Sequence, residues 1–405
     1  MMKGSKLAVA DTSVPVVALT MSPNPLLHGS LNVVRSLGRL GVPVHVMHPR
    51  AWTPADHSRY LAGKVIASYD DDAPKRFLDD LLEAGRRIGR RSILIPQDDR
   101  ATLFVGDHAT ALREWFSFPD QDPGLARRLA NKWELYQLCN QLGLPAAKTE
   151  RPLSRADVEV FAGRAQFPVV VKAIDPFLLH RRAAAKSVVI VADTAELLAA
   201  YDLMEDPRQP NLMLQEYIPG GADSIWMFNG YCDHQSDTLA AFTGTKLRQC
   251  PPHTGATSLG VCRRNQTVEQ QTRRLLREIG YRGIVDLGYR YDARDGRYKL
   301  LDVNPRIGAT FRLFVAGNGM DVVRALYLDL TGQPVPPSQA RDGRRWVVEH
   351  NDLLASARYW RRGELSPAAW LRSFRGVREG AWFAWDDPVP FATMCWWSLR
   401  LALGR

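Results

Sequence analysis

Residues 300–308 read LLDVNPRIG. An acid, an amide and an arginine interrupt a stretch that otherwise has the apolar character of a buried strand. Successive side chains of a strand point to opposite faces, so Asp302 and Asn304 share one. A second run of this kind, GIVDLGYRYD (283–292), carries Asp286, and a turn with Asp295-Gly296 joins the two. A three-residue loop, Arg294 to Gly296 with Gly296 left-handed, pairs 286 with 304 and 288 with 302. That register predicts Asp286, Asp302 and Asn304 on one face. A two-residue turn would pair 289 with 302 and turn Asp286 away. Oxygen ligands gathered in this way suit Mg²⁺, which takes one or two carboxylates together with a substrate's phosphates. Arg306, at the strand exit, carries the planar fork that holds phosphate oxygens.

A lysine is the second chemical element. Lys172 stands in FPVVVKAID (167–175), where a cation either reaches water at the sheet edge or pairs with an anion. The third is Gln215-Glu216-Tyr217-Ile218, which leaves a strand into Pro-Gly and so offers free backbone groups to a flat polar ligand, or is an ordinary strand end. Lys132 opens the helix before Lys172. No Ser, Cys or His arrangement reads as a nucleophilic triad, and His180 and His253 read as structural or surface histidines.

The elements that must position these groups follow from periodicity. VPVVALTM (14–21), PVHVMHP (43–49) and SILIP (92–96) are apolar runs separated by helical patterns, which predicts a parallel, doubly wound sheet over residues 14–120 behind a loose tail, 1–13. Gln97-Asp98-Asp99 follows a strand end, where such sheets bind ligands; the same acids also suit a helix cap. From 121 to 335 helices and strands mix in an α+β pattern, including a helix over 268–279 with Thr267 and Gln270 as a capping box. Residues 336–405 form a Trp-rich extension.

Bulk composition narrows the class. The chain has 405 residues and a net charge of +10, with its basic residues spread rather than striped. That favours a pocket for small anions over a nucleic-acid surface. Five scattered cysteines without a C-x-x-C pair, and no apolar run long enough to span a bilayer, point to a reducing, cytoplasmic setting.

Taken in order, the motifs resemble the ATP-grasp superfamily: NK (Lys132), VVVK (Lys172), a small-residue basic loop up to Lys186, LQEYIPG (215–220), Asp223, VD (Asp286) and DVNPR (302–306). RSLGRLGVPVHVM, HSRY and TGTKLRQCPP are similar to its carboxylate–amine ligase branch, which includes D-aspartate ligase-like proteins. The resemblance implies a pre-ATP-grasp domain followed by an ATP-grasp domain of two α+β lobes. It implies ATP and Mg²⁺ (or Mn²⁺) as cofactors, with a small carboxylate and an amine as substrates joined through an acyl phosphate. It places Lys132, Lys172 and Lys186 at the ATP phosphates, Gln215, Glu216, Tyr217 and Ile218 at the adenine, and Asp223 at the ribose. Asp286, Asp302 and Asn304 would bind the metal, and Arg306, Lys246 and Arg248 would steady the transferred phosphoryl group. Two positions depart from the pattern. Asp302 stands where the family has Glu, and RRAAAKS replaces a glycine-rich loop. A regulatory, non-catalytic nucleotide-binding protein is the alternative.

In the extension, FATMCWWSLRLALGR (391–405) reads either as a packed subdomain or as an interfacial helix giving peripheral membrane contact. Monomer and homodimer both stay open.

Overall fold

A computed structural model of the chain describes residues 7, 9–50, 52–175, 187–206 and 208–403. The chain divides into two compact units. The first comprises Met1–Ala126, Met227–Asp286 and Asn304–Arg405; the second comprises Arg127–Trp226 and Leu287–Val303.

The first unit opens with a five-stranded sheet of β1 (Val16–Leu19), β2 (Val44–His48), β3 (Leu61–Ile66), β4 (Ser92–Pro96) and β5 (Phe116–Ser117). The order is β3-β2-β1-β4-β5 with every neighbour parallel, the doubly wound arrangement expected from the alternating pattern. Apolar side chains fill both faces: Val16, Ala18, Val44 and Val46 pack in one cluster, Val17, Leu19 and Leu94 in another. The strand order reverses between β1 and β4, so the loops after these two strands sit at the switch point. Asp98 ties them together. It accepts from Thr20 Oγ1 (2.7 Å) and the Met21 N–H (2.8 Å), and it caps the helix Asp99–Asp107 through the Ala101 N–H.

In the second unit, β6 (Thr149–Glu150), β7 (Val169–Ala173), β8 (Val188–Val191) and β9 (Leu212–Glu216) form an antiparallel sheet in the order β6-β9-β7-β8. Val169, Val171 and Ala173 face a core shared with the helices Arg155–Ala162 and Thr194–Met204. Val170 and Lys172 therefore take the opposite face.

The first unit continues with β10 (Ile225–Cys232), β11 (Thr238–Cys250) and β12 (Ala256–Cys262). β11 and β12 are antiparallel with register shifts on either side of Arg248. The helix expected over 268–279 runs over Gln266–Glu278, and its cap is Asn265, whose side chain accepts from the Val268 N–H. Thr267 lies one position inside that helix, too late to act as its cap.

β13 (Gly283–Asp292) and β14 (Arg297–Asn304) follow; their residues 287–303 belong to the second unit. The connection is Ala293–Gly296, closed by the Gly296 N–H to Asp292 O (2.9 Å), with Gly296 left-handed at φ 69°. It is one residue longer than the three-residue loop expected from sequence.

The Trp-rich extension supplies β15 (Arg345–Val347) and β16 (Val377–Gly380) to the first unit, β15 pairing with β12 and β16 with β15. Trp346 and Trp382 are fully buried in the same cluster as Val16 and Leu31, so this part of the extension is core. Each such burial contributes on the order of 2–3 kcal/mol of transfer free energy. Trp385 is 85% exposed.

Candidate functional site

The second unit holds the basic half of the predicted set. Lys172 pairs across the sheet with Val188 on β8 and Met213 on β9, so its stem lies on an apolar face. Burial pushes its ammonium down to about 8; nearby Asp302 opposes that shift, and Lys132 and Arg290 add to it. Lys132 is the first residue of the helix Lys132–Gln141, fixed there by Asn131, whose side chain accepts from the Trp133 and Glu134 N–H groups. Arg290 donates to Gly220 O (2.6 Å) and lies over the Tyr217 ring, while its Nε is buried without a partner. Asp302 folds over Gly288: a Cβ built there would lie 2.2 Å from its Oδ1. Position 288 must therefore stay glycine for the carboxylate to sit where it does. This contact puts residues 288 and 302 on one face.

The segment expected at the adenine is mixed in its surroundings. Ile218 is buried, and Gln215 donates to Thr149 Oγ1 (2.9 Å) across the β6–β9 pair. The Glu216 carboxylate is already held by the Lys148 N–H, Lys299 Nζ (3.0 Å) and Arg294 (2.8 Å). Burial would raise it, and these donors outweigh burial and keep it below its ordinary value. Asp223 is exposed in a 3₁₀ turn, Ala222–Ser224. Lys186, His180 and the small-residue loop lie outside the described residues.

The first unit holds the acid and amide half. Asp286 accepts from Asn229 Nδ2 (2.6 Å) on one oxygen and from Asn304 Nδ2 (3.3 Å) on the other. Donors on both oxygens suit the ionised form. A Cβ at Gly308 would lie 2.6 Å from Asp286 Cγ, so this carboxylate too rests on a glycine. Arg306 pairs with Asp99 (2.5 Å) and reaches Asn304 Oδ1 (3.4 Å). The acid row 97–99 thus serves by capping and by orienting Arg306. Sequence reasoning missed Asn229, Gly288, Gly308 and Arg290. Asn229 is fully buried with its Oδ1 unpartnered, a signal that only three dimensions supply.

Two further residues are placed differently from expectation. Arg248 is buried in a two-point pair with Asp352 (2.8 Å each) and donates to Ser373 Oγ, fixing the bulged β11 to the C-terminal extension. Its donors are spent on the fold rather than turned to a phosphoryl group. Lys246 donates to Gly255 O (3.2 Å).

No group of three or more His, Cys, Asp or Glu side chains that could hold a metal is found among the described residues. Within the first unit the donor set is one carboxylate, Asp286, flanked by the amides of Asn229 and Asn304. It fits a hard cation that draws most of its ligands from phosphates and water.

No family model matches the chain. A curated relative, the D-aspartate ligase of Enterococcus faecium (strain Aus0004), is 26% identical over 284 residues. The match covers 67% of this chain and 66% of that ligase, just under two thirds of its length. Among solved structures, N5-carboxyaminoimidazole ribonucleotide synthetase in complex with ADP superposes with a TM-score of 0.62 at 12% identity. It covers 85% of this chain and 82% of its own. The L-amino acid ligase from Bacillus licheniformis gives a TM-score of 0.60 at 15% identity over 81% and 78% of the two chains. The fold is that of the ATP-grasp enzymes. Lys132 opens the helix Lys132–Gln141, Lys172 lies on β7, Asp286 on β13, and Asp302 and Asn304 on β14.

Proposed function

We propose that this chain is an ATP-dependent, ADP-forming ligase that joins a carboxylate to an amine. The carboxylate oxygen attacks the γ-phosphorus of ATP, ADP leaves, and the acyl phosphate so formed is attacked by the amine with release of phosphate. Mg²⁺ or Mn²⁺ bound with the nucleotide would screen the phosphate charge during transfer. The observation that carries the reading is the charge around Lys172, where, among the described residues, Lys132 and Arg290 add to its positive field and Asp302 opposes it. Such a surplus on a half-buried face suits a polyanion.

In this reading Lys172 and Lys132, with Lys186, hold the phosphates. Gln215, Tyr217 and the Ile218 backbone border the adenine, with Glu216 bracing that edge and Asp223 near the ribose. Asp286, Asp302 and Asn304 hold the metal. Arg306, oriented by Asp99, steadies the transferred phosphoryl group, with Lys246 in a supporting place. The likeness to a D-aspartate ligase, the L-amino acid ligase among the structural neighbours and the bound ADP of another neighbour support it. The reaction would take place in the cytoplasm. Among the described residues no helix is long and apolar enough to cross a membrane. Peripheral contact through the helix Val389–Ala402 is supported by exposed Trp396 and Leu399, and sedimentation with anionic liposomes tests it.

The deciding experiment is an ADP-release screen of paired amino acids and carboxylic acids with MgATP. Release that needs both partners, and that Asp302→Ala abolishes, is expected. Release that is independent of any acid or amine would overturn the ligase reading.

A further inference from the structure

The first unit contains a cavity of about 90 Å³, open to solvent, that shares Arg306 with the roles above and otherwise stands apart from them. Its walls come from the end of β4, the helix Asp99–Asp107 and the residues after it, the 118–126 segment, residues 281–284 and Pro305 to Ile307. Ile95, Val105, Phe118 and Leu326 give it an apolar lining.

The charged residues of the wall are all of one sign. Arg113, Arg282 and Arg306 line the cavity, and no Asp or Glu does. Their partners stand outside the wall. Arg113 pairs with Asp120 (2.5 Å), Arg282 approaches the same acid (3.9 Å) and Arg306 pairs with Asp99. Arg282 is incompletely satisfied: its NH1 donates to Asp120 O (3.2 Å), while its Nε is buried without a partner. A buried donor left open costs free energy that a ligand oxygen would recover. Gln121 and Thr102 add neutral polar groups to the wall. An apolar chamber with one open guanidinium donor, at Arg282, suits a molecule with an apolar body and a single negative charge.

We propose that this cavity binds an organic monoanion with an apolar body, of the arylalkanoate type, with the carboxylate at Arg282 and the body against the apolar wall. The site goes beyond the ligase reading; it shares Arg306 with that reading, but the carboxylate is assigned to Arg282 and no step of the argument uses nucleotide chemistry.

Isothermal titration of the full chain with 4-phenylbutanoate tests it, with 4-phenyl-1-butanol as the neutral counterpart. A charge-assisted hydrogen bond predicts binding of the acid about tenfold tighter than the alcohol. Ala109 lines the cavity and is only half-buried, so Ala109→Trp fills the chamber without entering the core. It is expected to abolish binding of both ligands while leaving MgADP binding and the melting temperature unchanged. Arg282→Met is expected to remove the preference for the acid and keep the alcohol's affinity. Binding that survives Ala109→Trp overturns the site, and equal affinity of acid and alcohol for the wild-type chain overturns its anion selectivity. Failure of Ala109→Trp to bind MgADP would mark a misfolded variant; Arg282→Met then decides, and an unchanged acid preference there overturns the proposal.

Discussion

Lys172 of the second unit and the buried arginines of the first are treated differently. Three of these arginines are met by carboxylates. Arg35 pairs with Asp387 (2.9 Å), Arg248 with Asp352, and Arg312 with Asp321 (2.7 Å) and Glu379. Burial alone would raise the Glu379 carboxyl, but Arg312, Arg39 and Arg344 outweigh it and hold it well below the usual carboxylate range. In the second unit Lys299 is likewise met by Asp292 and Glu216, but burial depresses the Lys172 ammonium, and Lys132 and Arg290 deepen the effect while Asp302 opposes it. Matched charge locks elements together; unmatched charge is a standing cost that a bound anion relieves. The difference sets basic residues tied into the fold apart from those proposed to meet phosphate, in a chain whose net charge of +10 says nothing about which is which.

The largest test of this contrast is Lys172→Met. Loss of a positioned cation at a phosphate is expected to lower kcat/KM for MgATP by about 10²–10³-fold. The melting temperature should hold or rise, because a desolvated charge is removed. A variant that loses stability instead would place Lys172 with the structural cations. The counterpart is Asp352→Ala, which leaves Arg248 buried and unpaired. Denaturant titration should show a loss of about 3–5 kcal/mol, and the double variant Arg248→Met/Asp352→Leu should regain most of it. An unaltered midpoint in the single variant would remove the lock.

A smaller effect separates binding from folding by pH. The Lys172 pKa near 8 lies below the ordinary lysine value of 10.5. Between these values the unfolded chain holds the proton that the folded chain has released, so this group makes stability rise with pH across that window. Nucleotide affinity should move the opposite way and fall above about pH 8, as the ammonium proposed to meet phosphate is lost. Parallel titrations of nucleotide Kd and of urea midpoint for wild type and Lys172→Met would show both slopes, and both should vanish in the variant. The smallest effect belongs to exposed pairs such as Arg155 with Asp202 (3.2 Å). Arg155→Ala should change stability by about 1 kcal/mol or less.

Much of the fold was legible because periodicity reports burial. VPVVALTM and SILIP could only be buried strands, and their alternation with helices required a parallel sheet. The parity of the β13–β14 hairpin was legible too: Gly296 is left-handed, Asp302 lies over Gly288 and the Asn304 amide reaches Asp286. The loop length was not, because Ala293 shows no turn preference and the closing bond from Gly296 to Asp292 O depends on local twist. Arg248 misled for a different reason. Its segment read as polar strand, and its partner, Asp352, lies 104 residues away on a helix of the extension. Likewise the Trp content of the extension could not tell Trp382, fully buried, from Trp385, 85% exposed.

The sequence by itself determined which chemical groups this protein has and on which faces of which strands they lie, because strand period and turn chemistry are local properties of the backbone. Only the tertiary structure decided which of those groups are neutralised. Whether Arg248 meets Asp352, whether Asp286 rests on Gly308 between two amides, and whether Lys172 is left with more cations than acids around it depend on residues far apart in the chain. Electrostatic free energy depends on distance and desolvation, and neither is encoded in spacing.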